Sequence, residues 1–557
     1  MRITKLSLTN FRSFKETQEI EFAPITLLFG PNSVGKSSVL MALFYVQQIL
    51  SKGQCDPRQL DALGGKKIKG FESLVHGRNT KNRITIKLDI DKKGEIGQTF
   101  AKLPDLINED FGLTAESPCG IADSFSVELE IAWSAHKETA YVSQTRIWLD
   151  DRLVVKLESD AGLKQARISY INFHHPLLLS DEDAGEFALP TTELETLIQI
   201  GSHSRGNQTS EDNTSIGFLS KFGAIVIPGQ TVATGMDLDD PLRTERVHEI
   251  LSDIIDAPFH NLLRYLNSSV CIGPLRVIPD NDYTHNPYPD QGGWYSGESA
   301  WDVVQGEPSA VEEVNHVLRA NDGLQLGCEL RKMMRVGHTA FTGSADQALD
   351  LKSMAKLDPN ARMTFSKEDT SENPDAEQTP IDIKGYLASL GEDYAINEDD
   401  FRPDNLQRKV VLWDSSHNIQ VDASDLGVGV SQLFPLIIAK ALVTNGLIAC
   451  EQPELHVHPR VQVGIGDLLL ERKFNTSSLI ETHSEHLILR LLKRVRQTTD
   501  SELPEGFDPV KPQDISIVYI EPSDDGVKAR RIHIDEDGEF IERWPHGFFN
   551  ERREELM

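Results

Sequence analysis

Hydrophobic and polar positions are organised from the first residues of the chain. ITKLSLTNF (3–11) predicts one strand and SFKETQEIEF (13–22) a second, while ITLLFG (25–30) is apolar enough for a short buried strand. GPNSVGKSS follows as a loop, and VLMALFYVQQIL (39–50), apolar on most faces, predicts a buried helix. Strand, glycine loop and buried helix in succession point to α/β architecture.

Further along, RITIKLDI (83–90) and SFSVELEIAW (124–133) alternate like half-buried strands, and QTRIWLDDRLVVKLES (144–159) reads as a hairpin. Residues 155–265 read as short helices mixed with polar loops, with no sustained heptads and hence no long coiled-coil arm. Residues 366–405, rich in Asp, Glu, Asn and Pro, read as a solvated linker or surface insertion. From about residue 409 the apolar pattern returns. It predicts strand VVLW, a helix at 430–443, strand GLIAC, a helix near 460–471, strand SSLIET and helix HLILRLLKRV. The tail adds DISIVYIEP and ARRIHIDEDGEFIERWP, whose DEDG reads as a hairpin turn.

A chain of 557 residues allows three or four domains, or fewer with large insertions, and 39% hydrophobic residues suffice for a sizeable core. Lys plus Arg number 56 against 86 Asp plus Glu, a formal charge of −30, so nucleic-acid phosphates are repelled by most of the surface. Cys55, Cys119, Cys271, Cys328 and Cys450 lie far apart without a CxxC pair, which argues against a zinc ribbon or disulfide framework. No stretch is long and apolar enough for a membrane helix, and a cytoplasmic protein is expected.

Gly30, Pro31, Asn32, Ser33, Val34, Gly35, Lys36 and Ser37 fit GxxxxGK[ST] without a mismatch, with Ser38 next. Glycines let such a backbone wrap phosphates, the lysine reaches the β and γ groups, and the serine ligates Mg²⁺. The apolar strand before it and the helix after it, whose N-terminus faces the anion, are the expected context. An acid for the metal side comes from GLIACEQPELHVHP (446–459), where an apolar strand ends in Glu451, followed by Gln452, Pro453 and Glu454. SSLIETHSEH (477–486) is a second apolar strand, ending at Thr482-His483-Ser484. In a parallel sheet both strand ends converge beside the phosphate loop. His456 and His458 belong more naturally to a strand-to-helix turn than to a metal site. DASDLGVGVSQLFPLIIAKAL (422–442) is a Ser/Gly-rich turn entering an apolar helix, and its amides offer a second anion nest.

This set resembles the ABC-type ATPase heads of the RecF, SMC and OLD group, over about residues 1–90 and 409–495. The resemblance implies an α/β fold: a split ABC-type P-loop head, with a large inserted α+β region at 91–408 between an N-terminal half (1–90) and a C-terminal half (409–557). It implies ATP and Mg²⁺ as cofactors, Lys36 and Ser37 on phosphate and metal, Glu451 as the metal-side acid, and His483 sensing the γ-phosphate. Gly427, Gly429, Ser431 and Gln432 would span a signature that clasps ATP held by a second copy, giving a head-to-head homodimer or higher homo-oligomer. The family's Q-loop residue has Gln59 and His76 as candidates. Within the group, GPLR (273–276), EQPELH and WPxGFF (544–549) are closest to stand-alone bacterial defence ATPases such as the PtuA proteins of Septu and retron-associated Septu modules. Those act with an HNH nuclease, PtuB, which implies a partner nuclease here and contact with nucleic acid or a retron ribonucleoprotein.

The chain departs from the group at Gln452, where most relatives carry a second glutamate that polarises the attacking water. A neutral amide cannot take a proton, and general-base catalysis is worth about 10²–10⁴-fold. Slow or absent hydrolysis follows, unless Glu454 replaces the base. HNLL (260–263) and HNPY (285–288) lack the surroundings of an HNH nuclease, and Asp535 and Asp537 fall in a turn, so no nuclease of the chain's own is expected. KKIKG (66–70) and KRVRQ (493–497) are the short basic clusters. An ATP-regulated scaffold for a separate effector and a RecF-like, DNA-loading ATPase are the two competing functions.

Overall fold

Ile25–Phe29 is buried at all five positions and lies inside a six-stranded sheet of a computed structural model. The structure describes residues 1–100, 117–159, 166–178, 216–218, 241–279, 283–320, 324, 326–336, 362–364, 381–382, 406–415, 417, 419–421, 428–471 and 474–545. The strand pairs in parallel with Asn475–Glu481 on one side and Ile515–Ser523 on the other. Asn445–Glu451 and then Val270–Ile272 extend the sheet in parallel, and Gly526–Ile532 closes the opposite edge as an antiparallel hairpin.

Strands covered on both faces need apolar side chains at successive positions, which is why ITLLF, LIAC and SLI read as continuous runs. The period of two divides each strand between two cores. Leu28, Leu447, Ala449 and Leu479 pack with helix Lys36–Lys52 on one face. Leu27, Phe29, Ile448 and Ile480 pack on the other face with helices Val428–Leu442, Pro459–Leu470 and Glu485–Thr499. The fold is therefore α/β, with the early strand Ile25–Phe29 and the late strands Asn445–Glu451, Asn475–Glu481 and Ile515–Ser523 in one sheet.

A second, antiparallel sheet runs in the order Ile216–Phe218, Ala166–Ile171, Arg152–Ser159, Thr139–Leu149, Ser124–Ser134, Ile84–Asp91, Arg2–Thr9, Gln18–Glu21. The hairpin expected at 144–159 is present, turning at Asp150 and Asp151, both at positive φ (45° and 62°). This sheet runs through residue 90, and Val270–Ile272 joins the parallel sheet, so the segment between the two halves contributes strands to both sheets. The expected linker at 366–405 lies outside the described residues except for strand Ile381–Asp382.

Two elements differ from the pattern reading. The first strand ends at Thr9, because Asn10 and Arg12 take φ of 54° and the chain turns, leaving only Gln18–Glu21 as the second. Among the described residues of 155–265, where short helices and loops were expected, there is instead a 27-residue helix, Pro241–Asn267. Pro258 inside it acts locally against a helix, yet Val247, Leu251, Ile254, Ile255, Leu262 and Leu266 form a buried stripe whose packing prevails. The DEDG turn is as expected, with Gly538 donating to the Asp535 carbonyl at 3.1 Å. All five cysteines are buried thiols outside any disulfide, and among the described residues no helix is long and apolar enough to cross a membrane.

Candidate functional site

The phosphate loop hangs between the end of Ile25–Phe29 and helix Lys36–Lys52. Gly30 has φ +139°, and a Cβ there would lie 2.1 Å from the Ile520 carbonyl oxygen, so only glycine fits beneath the neighbouring strand. Pro31, Asn32 and Ser33 are exposed, Val34 is buried, and Gly35 caps the helix with no side-chain bond to its amides. A helix N-terminus without a side-chain cap, with its dipole, favours an anion. Ser38 is buried, its amide donating to the Gly35 carbonyl at 2.9 Å.

Lys36 is 3% exposed and its Nζ donates to the Gly30 and Pro31 carbonyls, both at 2.9 Å. Burial lowers its pKa, opposed by the carboxylates of Glu481 and Glu454. The ammonium is thus folded back into its own loop, where phosphate oxygens are better partners than carbonyls. Ser37 Oγ lies 2.7 Å from Glu481 Oε2 and 3.3 Å from Glu451 Oε2, both within donating distance. Glu451, expected as the metal-side acid, thus lies beside the motif serine. Hydroxyl and carboxylate oxygens are a hard-donor set that fits Mg²⁺.

Glu451 is held from three further sides. Tyr295 Oη donates to its Oε1 at 3.0 Å, Lys66 Nζ is 3.9 Å from the same oxygen, and Arg276 Nη2 donates to its main-chain carbonyl at 2.7 Å. Lys66 belongs to the basic KKIKG cluster, so that charge faces the site. Burial and the Glu451 charge push the Tyr295 phenol well up, keeping it a neutral donor.

Gln452 takes φ +47° and its amide donates to the Glu481 carbonyl at 2.7 Å. Glu454 Oε1 accepts from the His483 amide at 2.6 Å, and burial raises its pKa. Burial, then the Lys36 charge, lowers the pKa of His483, whose Nε2 is buried without a hydrogen-bond partner among the described residues. An orphaned imidazole nitrogen beside Lys36 suits a phosphate oxygen. His458 caps helix Pro459–Leu470, its Nδ1 accepting from the Arg460 amide at 3.2 Å, and His456 is exposed, as befits a turn.

Among the expected signature residues, Gly427 lies outside the described residues, as does all of 422–427. Gly429 abuts the His456 carbonyl. Ser431 is wholly buried, and Gln432 is buried against Arg276, so in the single chain neither side chain stands on an open face. Gln59 is exposed, and His76 Nδ1 donates to the Arg12 carbonyl at 2.8 Å. The pattern reading missed Glu481, Tyr295 and Arg276 as site residues. Glu481 had a signal, a carboxylate at the end of a second apolar strand; Arg276 had only its place in GPLR; Tyr295 had none.

Of the short basic clusters, KRVRQ is structural at Arg494, which holds buried Asp467 through Nε at 2.8 Å and Nη2 at 3.1 Å. Asp535 Oδ1 accepts the Asp537 and Glu539 amides within its turn.

Residues 1–176 match the family described as AAA ATPase domain, and residues 510–557 match one described as Protein of unknown function (DUF3696). A DNA replication and repair protein RecF from Desulforamulus reducens is 49% identical over 45 residues, 8% of this chain and 12% of that protein. Besides a phosphate loop and acid strand meeting in one sheet, the chain thus has stretches similar to an AAA ATPase domain and to a RecF protein. The chain spans about an eighth of the RecF relative's length. Solved structures that superpose include an SMC head domain from Thermotoga maritima (10% identity, 96% of this chain, 100% of that one, TM-score 0.34). An SmcHead bound to the C-winged helix domain of ScpA superposes with 11% identity, 96% and 98% coverage and TM-score 0.35.

Proposed function

We propose that this chain binds ATP with Mg²⁺ in a split ABC-type head, and that two such heads pair around the nucleotide. The observation that carries the reading is the meeting of Ser37 with Glu451 across 414 positions of sequence, beside a lysine folded onto the carbonyls of its own loop. In this reading residues 1–90 and 409–557 are the two halves of the head, 91–408 is the insertion, and the second copy's signature turn around Gly427 and Gly429 completes the site.

The head acts as the regulatory scaffold of a cytoplasmic antiviral defence system and controls a separate HNH-type nuclease, with nucleic acid or a ribonucleoprotein as its trigger. GPLR, EQPELH and WPxGFF support that assignment, as does a net charge of −30. Gln452 in place of a glutamate makes ATP a long-lived clamp more than a fuel.

The test is equilibrium binding of ATP with Mg²⁺ to the wild type and to Lys36→Ala. Loss of about tenfold or more in affinity is expected, since a charge-assisted phosphate contact disappears. Equal affinity in the two proteins rejects the reading. A second function, RecF-like loading on DNA, is favoured by the RecF match alone. ATP-dependent DNA binding that weakens steeply with salt supports it, and co-purification with an HNH protein encoded beside this chain supports the scaffold.

A further inference from the structure

Glu451 and Glu481 are the last residues of adjacent parallel strands, and they stand directly opposite each other in register. Residues in register on neighbouring strands point to the same face of a sheet. Both carboxylates accordingly leave the sheet edge together, and both come within hydrogen-bond distance of one hydroxyl, Ser37 Oγ. Each glutamate is 6% exposed. Two buried anions this close repel, and here the repulsion is offset by two cations: Lys36 Nζ lies 3.8 Å from Glu481 Oε1, and Lys66 Nζ 3.9 Å from Glu451 Oε1.

That balance holds only without nucleotide. Lys36 is the group that turns to the phosphates, and the phosphates bring further negative charge to the side where Glu481 sits. Unit charges about 4 Å apart interact by several kcal/mol near a protein surface. A second buried carboxylate is thus a penalty for binding a bare triphosphate, and a divalent cation relieves it. The donor set at this corner, one hydroxyl and two carboxylates, is the hard-oxygen chemistry of Mg²⁺.

We infer that Glu481 is a second acid of the metal–nucleotide site, acting with Glu451 to make ATP binding conditional on a divalent cation. The inference rests on the ATP-binding reading above and adds to it a residue that the phosphate-loop motif does not specify. Glu481 also fixes the turn beyond the acid strand, through its carbonyl and the Gln452 amide, so the two strand ends form one unit.

The experiment titrates Mg²⁺ into the full chain with a non-hydrolysable ATP analogue, for the wild type, Glu481→Gln and Lys36→Ala, and repeats the nucleotide titration in chelator. Glu481→Gln is expected to raise the half-saturating Mg²⁺ concentration roughly ten- to hundredfold, the range of perturbed metal sites. The same variant is expected to bind the analogue more tightly than wild type in chelator, because a repelling charge is gone. A Mg²⁺ midpoint within about twofold of wild type, with unchanged chelator affinity, overturns the inference. Should Glu481→Gln fail to fold, Glu481→Asp decides: retaining the charge but shortening the reach shifts the Mg²⁺ midpoint upward and leaves chelator binding weak, and an unshifted midpoint overturns the inference. If the wild type takes up no nucleotide at any Mg²⁺ concentration, or Lys36→Ala binds as well as wild type, the nucleotide reading itself has failed. If binding is Lys36-dependent and only the Glu481 effect is missing, this inference alone has failed.

Discussion

Arg276 and Gln432 exchange hydrogen bonds in both directions. The Arg276 amide donates to Gln432 Oε1 at 2.9 Å, Gln432 Nε2 donates back to the Arg276 carbonyl at 2.5 Å, and Arg276 Nη1 donates to the Gln432 carbonyl at 2.9 Å. The other arm of the guanidinium reaches the Glu451 carbonyl and Cys450 Sγ. One buried fork therefore ties the helix after the signature turn to the end of the acid strand. Arg276→Ala leaves carbonyls unpaired in a dry place, and a loss of about 2–4 kcal/mol in unfolding free energy is expected. Arg276→Lys keeps the charge without the fork and should recover less than half of it. Denaturant unfolding checks both, and full recovery by lysine would show that charge alone matters.

Gly429 sits where a Cβ would come 2.1 Å from the His456 oxygen and 2.7 Å from its carbonyl carbon. The obstacle is backbone, with no flexible side chain to move aside. Gly429→Ala must push the signature helix away from the turn after the acid strand, at a cost of roughly 1–3 kcal/mol. Thermal unfolding measures the cost. A melting temperature equal to wild type would mean the two segments part freely.

Most of the six-stranded sheet was legible because its strands are short, apolar and followed by motif residues. ITLLF runs into a glycine loop, LIAC into Glu451 and SLIE into Thr482-His483, and local pattern alone identifies each. Glu481 was passed over since it reads as one more strand residue; only the register with Glu451 shows that two acids share a hydroxyl. Tyr295 and Arg276 come from a segment more than 150 positions from Glu451. No local periodicity encodes that contact. Helix Pro241–Asn267 was obscured by Pro258, a local signal that distant packing overrides.

Trp544 packs edge-on against Phe29, the last residue before the phosphate loop, with ring centroids 5.3 Å apart at 83°. Tyr519 and Phe540 complete the cluster at 6.0 and 5.1 Å. The C-terminal WP pair thereby braces the strand that presents Gly30. Trp544→Ala should cost about 3–5 kcal/mol, as large aromatic truncations do. Calorimetry checks the stability, and ATP affinity should fall in the same variant because the loop loses its support. Unchanged affinity would separate the brace from the site.

Asp253 on the long helix accepts from Ser117 Oγ at 2.5 Å and from the Cys119 amide at 2.8 Å. Burial raises its pKa, against those hydrogen bonds and the Lys92 charge. A raised folded-state pKa means that the native protein holds the proton more tightly than the unfolded chain. Its contribution to stability is full below the ordinary aspartate range, about 4, and is lost as pH rises through the folded value. Asp253→Asn cannot ionise and removes that slope. Its melting temperature relative to wild type is expected to rise on going from acid to neutral pH, and a pH-independent difference would contradict the buried carboxylate.

Gln452 stands at the turn where the acid strand ends, half-buried, with its amide fixed to Glu481. Glu454, the other carboxylate offered as a base, accepts from the His483 amide through Oε1 and is raised in pKa by burial. Gln452→Glu places a carboxylate directly after Glu451, and turnover should rise by about 10²-fold or more. The gain is bounded by repulsion, since Glu451 and Glu481 already occupy the corner, so the variant should also need more Mg²⁺ than wild type. Steady-state phosphate release, measured across a Mg²⁺ series, tests both parts. Rapid turnover in the wild type with no gain in the variant would mean that water is activated without a base at this position, and that ATP is not held as a long-lived clamp.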